Sequence, residues 1–468
     1  MKYQTIFGLS GINRGVSPLL AAEGELLDTE NLVSEKIGVL KKSFDFSIKN
    51  AQIHASQNIV GGIDYARVSG THTHLVACDS ISGVDIYENV AGTWTAASQS
   101  LTTGTKVRFA VDPALDTLFA ANYSDATRSY NGSAWSISTN VTSAPKFKYI
   151  FYFGNRVWGF FANTGTAYPT RGYRSSLDDA GSITWDTTND WFNFGDVLTG
   201  VGKNGDNMFV GCENSMFIVP LDADAMYRVS DHGCVSHESI ASYGVWTFWA
   251  ARDGVYAFNG KEDKKISLSI QDYWDGIAEA NLSSIQAVVL GHHLYIYVGA
   301  LTSPDTYSNV IFDYNILQNT WNRGFLGETM TNLHTYITSS GKKVFMGNDE
   351  GEVFQLFNSS TQFTKAFPAS LETNWLYGSG ERYMDTFYEL WGYGDQLSGI
   401  QVFYKVDNDT DWNAIGDLNG PTDFVKFKVK AYRIKYRIHE YSKNNLYSLH
   451  GLEHGFEPQY PKEKDTEK

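Results

Sequence analysis

The sequence predicts an all-β chain, a six- or seven-bladed β-propeller with an irregular N-terminal leader and a C-terminal β-sandwich. Three observations carry this. A unit of roughly forty residues recurs from Ile59 to Phe357, the period of four-stranded propeller blades. Aromatic residues make up 15% of the 468 residues, beside 43 Gly and only 10 Pro, which describes short packed strands joined by glycine turns. From about Ala369 the repeat gives way to longer strands of period two.

Residues 1–50 read as a leader and docking segment, broken by Gly8, Gly11, Gly15, Pro18 and Gly24. It is too glycine-rich for a core of its own and too apolar for a free tail, so it is expected to lie across its own propeller or a neighbouring subunit. Its one helix signal, over 24–34, rests on Leu26, Leu27 and Leu32 among acidic residues and supports a turn or two. The propeller is assigned to 51–365, with units at 59–102, 103–145, 146–196, 197–233, 234–277, 278–330 and 331–362. The ends of the first and second units, Tyr87 to Trp94 and Tyr130 to Trp135, share one pattern. An inward aromatic runs into an Asn/Gly turn, and a Trp on the returning strand closes over it. Tyr314 to Trp321 repeats this with a longer turn, and Trp94, Trp135, Trp249 and Trp321 are expected in blade cores. The last unit is short of strands and is expected to borrow one from the leader or the first unit, since closure removes an exposed edge. Residues 366–457 read as the sandwich, and 458–468 as a charged, disordered tail.

The chemistry-bearing residues suggest no catalysis. Cys78, Cys212 and Cys234 have neither an even pairing nor a CxxC spacing and read as buried small hydrophobes. His72 with His74, and His292 with His293, lack a third metal ligand at a usable spacing. Asp253, Asp313 and Asp349 sit where blade turns are expected, which explains them without a glycosidase pair. Residues 176–185 look like an Asp-box turn with extra residues, a blade hairpin without chemistry. There is no Gly-x-Ser-x-Gly elbow, Walker loop or dinucleotide fingerprint, so no enzyme, catalytic residue, metal or cofactor is expected. No stretch reaches the length of a membrane span, and synthesis in a reducing cytoplasm is expected.

The formal charge is −15, which argues against a general nucleic-acid binder. One concentrated basic run stands out: Lys426, Lys428, Lys430, Arg433, Lys435 and Arg437, alternating with apolar residues. It reads either as the solvated face of an amphipathic hairpin or as a face that meets an acidic partner or DNA.

Two stretches resemble a known family. In residues 8–42, Gly11-Ile12-Asn13, Pro18-Leu19-Leu20, Gly24-Glu25, Asp28, Asn31-Leu32 and Gly38-Val39-Leu40-Lys41-Lys42 resemble the leader of tail nozzle or hub proteins of short-tailed bacteriophages, a group that includes the packaged-DNA stabilisation proteins. In residues 233–277, Gly233, Ser236, Ser239-Ile240, Gly244, Thr247-Phe248-Trp249, the run from Asp253 to Gly260, Ile266-Ser267 and Tyr273-Trp274 are similar to that group's central blade. Asp411-Trp412 and the strand from Tyr432 to Ile438 fit its ending. The resemblance implies a virion structural protein, a propeller subunit of a hexameric ring in the tail that retains and then conducts the genome, with no catalytic residue. Expected partners are the chain itself in the ring, portal and adaptor proteins above it, and a tail fibre or plug protein, with duplex DNA passing through without sequence-specific binding. The chain has no recognisable insertion for fibre attachment, and acidic walls would repel the duplex instead of gripping it. Alternatives from the same residues are a head-closure, neck or decoration protein of the virion, and a glycan-binding or glycan-cleaving propeller adhesin.

Overall fold

The computed structural model describes residues 1–7, 9–15, 22, 24–97, 101–178, 181–221, 225–359, 361–362, 365, 367–381, 383–441 and 447–459. Most of the predicted charged tail, together with Gly8, Pro18, Leu19 and Leu20 of the leader, lies outside them.

Seven four-stranded antiparallel sheets form the propeller, at 59–96, 108–136, 146–193, 198–230, 241–265, 286–325 and 330–356. Their first strands adjoin in sequence around the axis, and the first strand of blade 7 returns to that of blade 1. Blade 7 has three strands of its own. The fourth is Phe46–Ile48 from the leader, paired antiparallel to Val353–Leu356 with Phe46 opposite Leu356. An N-terminal strand therefore closes the ring, and no blade edge is left open at the junction.

The remainder of the leader departs from expectation. Lys2–Phe7, Leu32–Lys36 and Val39–Lys42 join Asp385–Asp395, Thr422–Ala431 and Ser448–Glu457 in a six-stranded sheet. Leu26–Glu30 joins a second, five-stranded sheet with Ala369–Thr373, Ile434–Glu440, Ile400–Val406 and Asn413–Leu418. Ile6, Leu9, Leu26, Leu32 and Leu40 are buried in the core shared by the two sheets. The leader thus supplies four of the eleven strands of the two sheets and is not a segment laid over a finished surface. The helix expected at 24–34 is two strands, because Leu26 and Leu32 are buried in that core and Asn31, at φ 54°, turns the chain from one sheet to the other. The short helices are Gln271–Asp275 and Glu279–Leu282, in the crossover from blade 5 to blade 6.

The sandwich is pinned to the outer strand of blade 6. Gly11, at φ 86°, lies so close to this strand that a Cβ would stand 2.5 Å from the Trp321 carbonyl, and Ile12 N–H donates to that carbonyl at 2.7 Å. This close approach explains the Gly-Ile-Asn signature in the leader. Arg323, 1% exposed, donates to Asp28 at 2.6 Å with the Tyr307 ring 4.0 Å from its guanidinium carbon. Deeper in the sandwich, Lys42 and Glu440 form an ion pair with both side chains fully buried.

Trp249 and Trp321 are fully buried, and their indole N–H groups donate to the carbonyls of His232 at 3.3 Å and Ile266 at 2.8 Å. Trp135 stacks on Tyr130 at 4.7 Å, and Trp321 packs on Tyr314 at 4.8 Å, each pair directly opposite across a hairpin. Trp94 and Trp135, however, lie on the outermost strands of blades 1 and 2 and are only half-buried. Trp94 faces Asn89 across its hairpin and packs edge-on against His74 at 5.3 Å, so the first unit does not repeat the Tyr–Trp pair.

Candidate docking surface on the sandwich

The basic run predicted as one hairpin face is divided between two sheets. Thr422–Ala431 pairs with Asp385–Asp395 at the edge of the six-stranded sheet, whereas Ile434–Glu440 is an inner strand of the five-stranded sheet. The chain crosses from one sheet to the other at Tyr432 and Arg433. Both strands alternate, so each sends its apolar residues into the common core and its cations outward. Val425 and Phe427 face Tyr404 and Tyr436 inside, while Lys426, Lys428 and Lys430 are exposed on one outer face. Lys435 and Arg437 point out from the opposite outer face. A single surface containing all six cations does not exist, because a sandwich strand presents only one of its faces to solvent.

The face with Arg433, Lys435 and Arg437 is the more organised. Trp375 follows Ala369–Thr373, and its ring lies under Arg433 at 4.3 Å and Lys435 at 5.3 Å. Trp412, just before Asn413–Leu418, lies under Arg437 at 4.4 Å, Lys435 at 5.1 Å and Lys405 at 5.2 Å. Lys405 and Lys435 are direct cross-strand partners, an unfavourable like-charge pairing that the indole face relieves in part. Among the described residues Glu372 is the one carboxylate ion-paired to these four cations, to Lys435 and, at 3.0 Å, to Arg437. His439 and Tyr441 extend the aromatic surface, stacked at 3.9 Å, with Tyr441 exposed. Sequence reading found the cations but missed Trp375, Lys405 and Glu372, which reach the face from other strands and leave no local spacing signal.

On the opposite face Lys426 lies 5.2 Å from the Phe424 ring centre and Lys428 5.7 Å from that of Tyr388. No ion pair joins these lysines among the described residues.

The other residues singled out in the sequence are kept apart by the fold. His72 pairs with Asp64 at 2.8 Å, His74 with His334 at 2.7 Å, His292 with the Tyr243 hydroxyl at 2.7 Å, and His293 with Asp313 at 2.7 Å. Asp253 and Asp349 are at turns of blades 5 and 7, but Asp313 lies within the strand Tyr307–Asn315 and is fully buried, contrary to its expected turn position. The three cysteines are free and buried, and burial pushes the Cys78 thiol up to about 12.

No protein-family profile and no curated protein matches the chain. Among solved structures it is similar to one described as YCF48 bound to D1 peptide, with 9% identity, a TM-score of 0.42, and coverage of 67% of this chain and 98% of that one.

Proposed function

We propose that the chain is a structural subunit of a virus particle, one protomer of a ring in the tail nozzle or hub, and that it assembles by docking the Arg433, Lys435 and Arg437 face of its sandwich onto the propeller of the next copy. The observation that carries this is the charge division within one chain. Residues 51–365 hold 19 Lys and Arg against 30 Asp and Glu, a balance of −11, while the sandwich face presents four cations over two tryptophans with one paired carboxylate. Such a surface suits an acidic protein partner, with the aromatic rings as anchors and the charges setting orientation. A second copy supplies that partner at the concentration of the chain itself, and one heterologous contact, repeated through a rotation that closes, gives a ring. The resemblance of residues 8–42 and 233–277 to nozzle proteins supports the same reading, and implies a portal and adaptor above the ring.

Sedimentation velocity tests it. Wild-type protein should form a discrete oligomer that dissociates as salt is raised, because the contact is charge-assisted. Arg433→Gln with Arg437→Gln should shift it to monomer, while Lys428→Gln with Lys430→Gln, on the other face, should not. An oligomer unaffected by the first pair would remove this face from the interface.

A further inference from the structure

A second concentration of charge lies inside the propeller. The first strands of all seven blades surround an axial cavity of about 410 Å³, with Arg108, Lys203, His237 and Glu238 among its lining residues. Arg108 is 13% exposed and donates to Glu238 at 2.7 Å, and Lys106 reaches the other Glu238 oxygen at 3.9 Å. Arg108 also donates to the Lys148 carbonyl at 3.1 Å and lies 4.8 Å from the Tyr149 ring centre. The Lys148 ammonium lies 5.4 Å from the same ring and 4.7 Å from that of Phe161, and neither Lys148 nor Lys203 has an ion pair among the described residues. Lys106, Arg108 and Lys148 therefore cluster about one lining carboxylate, with Lys203 also on the cavity wall, within a domain that is otherwise acidic.

The excess is costly as it stands. Burial holds the Lys106 and Lys148 ammonium groups below their ordinary value, and with repulsion from Arg108 it outweighs the attraction of Glu238 for both and of Glu213 for Lys148. Burial pushes the Glu238 carboxyl up, yet Arg108 and Lys106 outweigh it and hold Glu238 well below the ordinary carboxylate range. Glu238 is thus already ionised and committed, and has no further charge to offer. The buried Arg108 Nε–H has no acceptor among the described residues. Donors and positive charge exceed acceptors and negative charge at a place with room for a small molecule.

We propose that the end of the axial cavity beside Glu238 is a binding site for a small anionic group, a phosphate or a carboxylate, held by Arg108 of the lining together with its neighbours Lys106 and Lys148, which flank the lining where the first strands of blades 2 and 3 begin. Such a group completes the charge balance that Glu238 begins, and oxyanions take several N–H donors at once. The site is independent of ring assembly and of the sandwich face.

Thermal unfolding of the full chain, at constant ionic strength set with chloride, tests it. Inorganic phosphate should raise the melting temperature in a saturable way, and acetate and a short peptide with a free carboxyl terminus form the second arm. A response to phosphate alone assigns a phosphate site, and a response to both arms assigns an oxyanion site that accepts carboxylates; either supports the proposal. Lys106→Gln and Lys148→Gln, made singly, should each weaken apparent affinity about tenfold, the loss of one charge-assisted hydrogen bond. Should either variant fold poorly, a wild-type crystal soaked in selenate gives a readout free of mutation, an anomalous peak between Lys106 and Arg108. No stabilisation by any of these anions, an undiminished response in both lysine variants, or a soaked crystal without that peak would overturn the proposal.

Discussion

Lys42 and Glu440 show how much a single contact can carry here. Both side chains are fully excluded from water, so removing one leaves an uncompensated buried charge. Glu440→Gln is expected to cost about 3 to 5 kcal/mol in urea unfolding monitored on the sandwich. The tryptophans divide by position. Trp249→Ala empties a core site and should cost about 3 to 5 kcal/mol, whereas Trp135→Ala loses one stacked face on Tyr130 and should cost clearly less. Equal melting temperatures for these two variants would contradict the division. The cross-strand Tyr–Trp pairs were legible in the sequence because the turn fixes their register. Burial was not legible, since Trp135 and Trp321 both lie on the outer strand of a blade and Trp321 is the one that the leader covers, at Gly11 and Ile12. The sequence set His74 beside His72 and did not single out His334, because the His74–His334 partnership is made by closure of blade 7 on blade 1. Burial holds His334 down to about 3 and His74 well below the ordinary imidazole value of 6.5. Below pH 6.5 the unfolded chain takes up protons that the folded seam refuses. Stability is therefore complete above that pH and falls as pH drops toward 3. The urea midpoint should be lower at pH 4.5 than at pH 7.5, and His334→Gln should reduce that difference; an unchanged pH dependence in the variant would mean the pair is not its source.

Among the elements, the leader changes the account most. Its glycines read as irregularity, yet Gly11 is required by the backbone it touches, and its partners lie some three hundred residues or more away in Trp321 and in the C-terminal strands. No local pattern announces such pairing, which is why a docking segment was expected where the sandwich's own strands are found. Deleting residues 1–48 removes four strands of the sandwich and the closing strand of blade 7. The product should lose the cooperative unfolding of both modules, seen as protease sensitivity in blade 7 and in the sandwich, instead of losing assembly alone. A truncated chain that keeps a native-like melting transition would contradict this. The blades were legible because the repeat, the turns and the aromatic pairs agree with one another. The basic run was legible as two alternating strands, but alternation is identical whichever sheet a strand joins, so the separation of Lys426 from Lys435 onto opposite faces was not.

For the whole molecule, the proposed ring rests on shape and charge distribution, and most of the negative charge belongs to the propeller. Tight duplex binding needs on the order of six phosphate contacts per site. The concentrated basic groups here are divided between two sandwich faces and the propeller axis, so the isolated protein should bind duplex weakly at physiological salt. Submicromolar, salt-dependent binding abolished by changing Lys426, Lys428 and Lys430 would make the six-stranded face a DNA contact. The ring is the central claim, and electron microscopy of the purified protein, alone and with the adaptor protein that the nozzle reading implies, addresses it most directly. The account predicts closed rings in which the sandwich of each subunit, through the Trp375 and Trp412 face, rests against the propeller of the next. Monomers at every concentration and in the presence of the adaptor, or rings in which that face points to solvent, would contradict it.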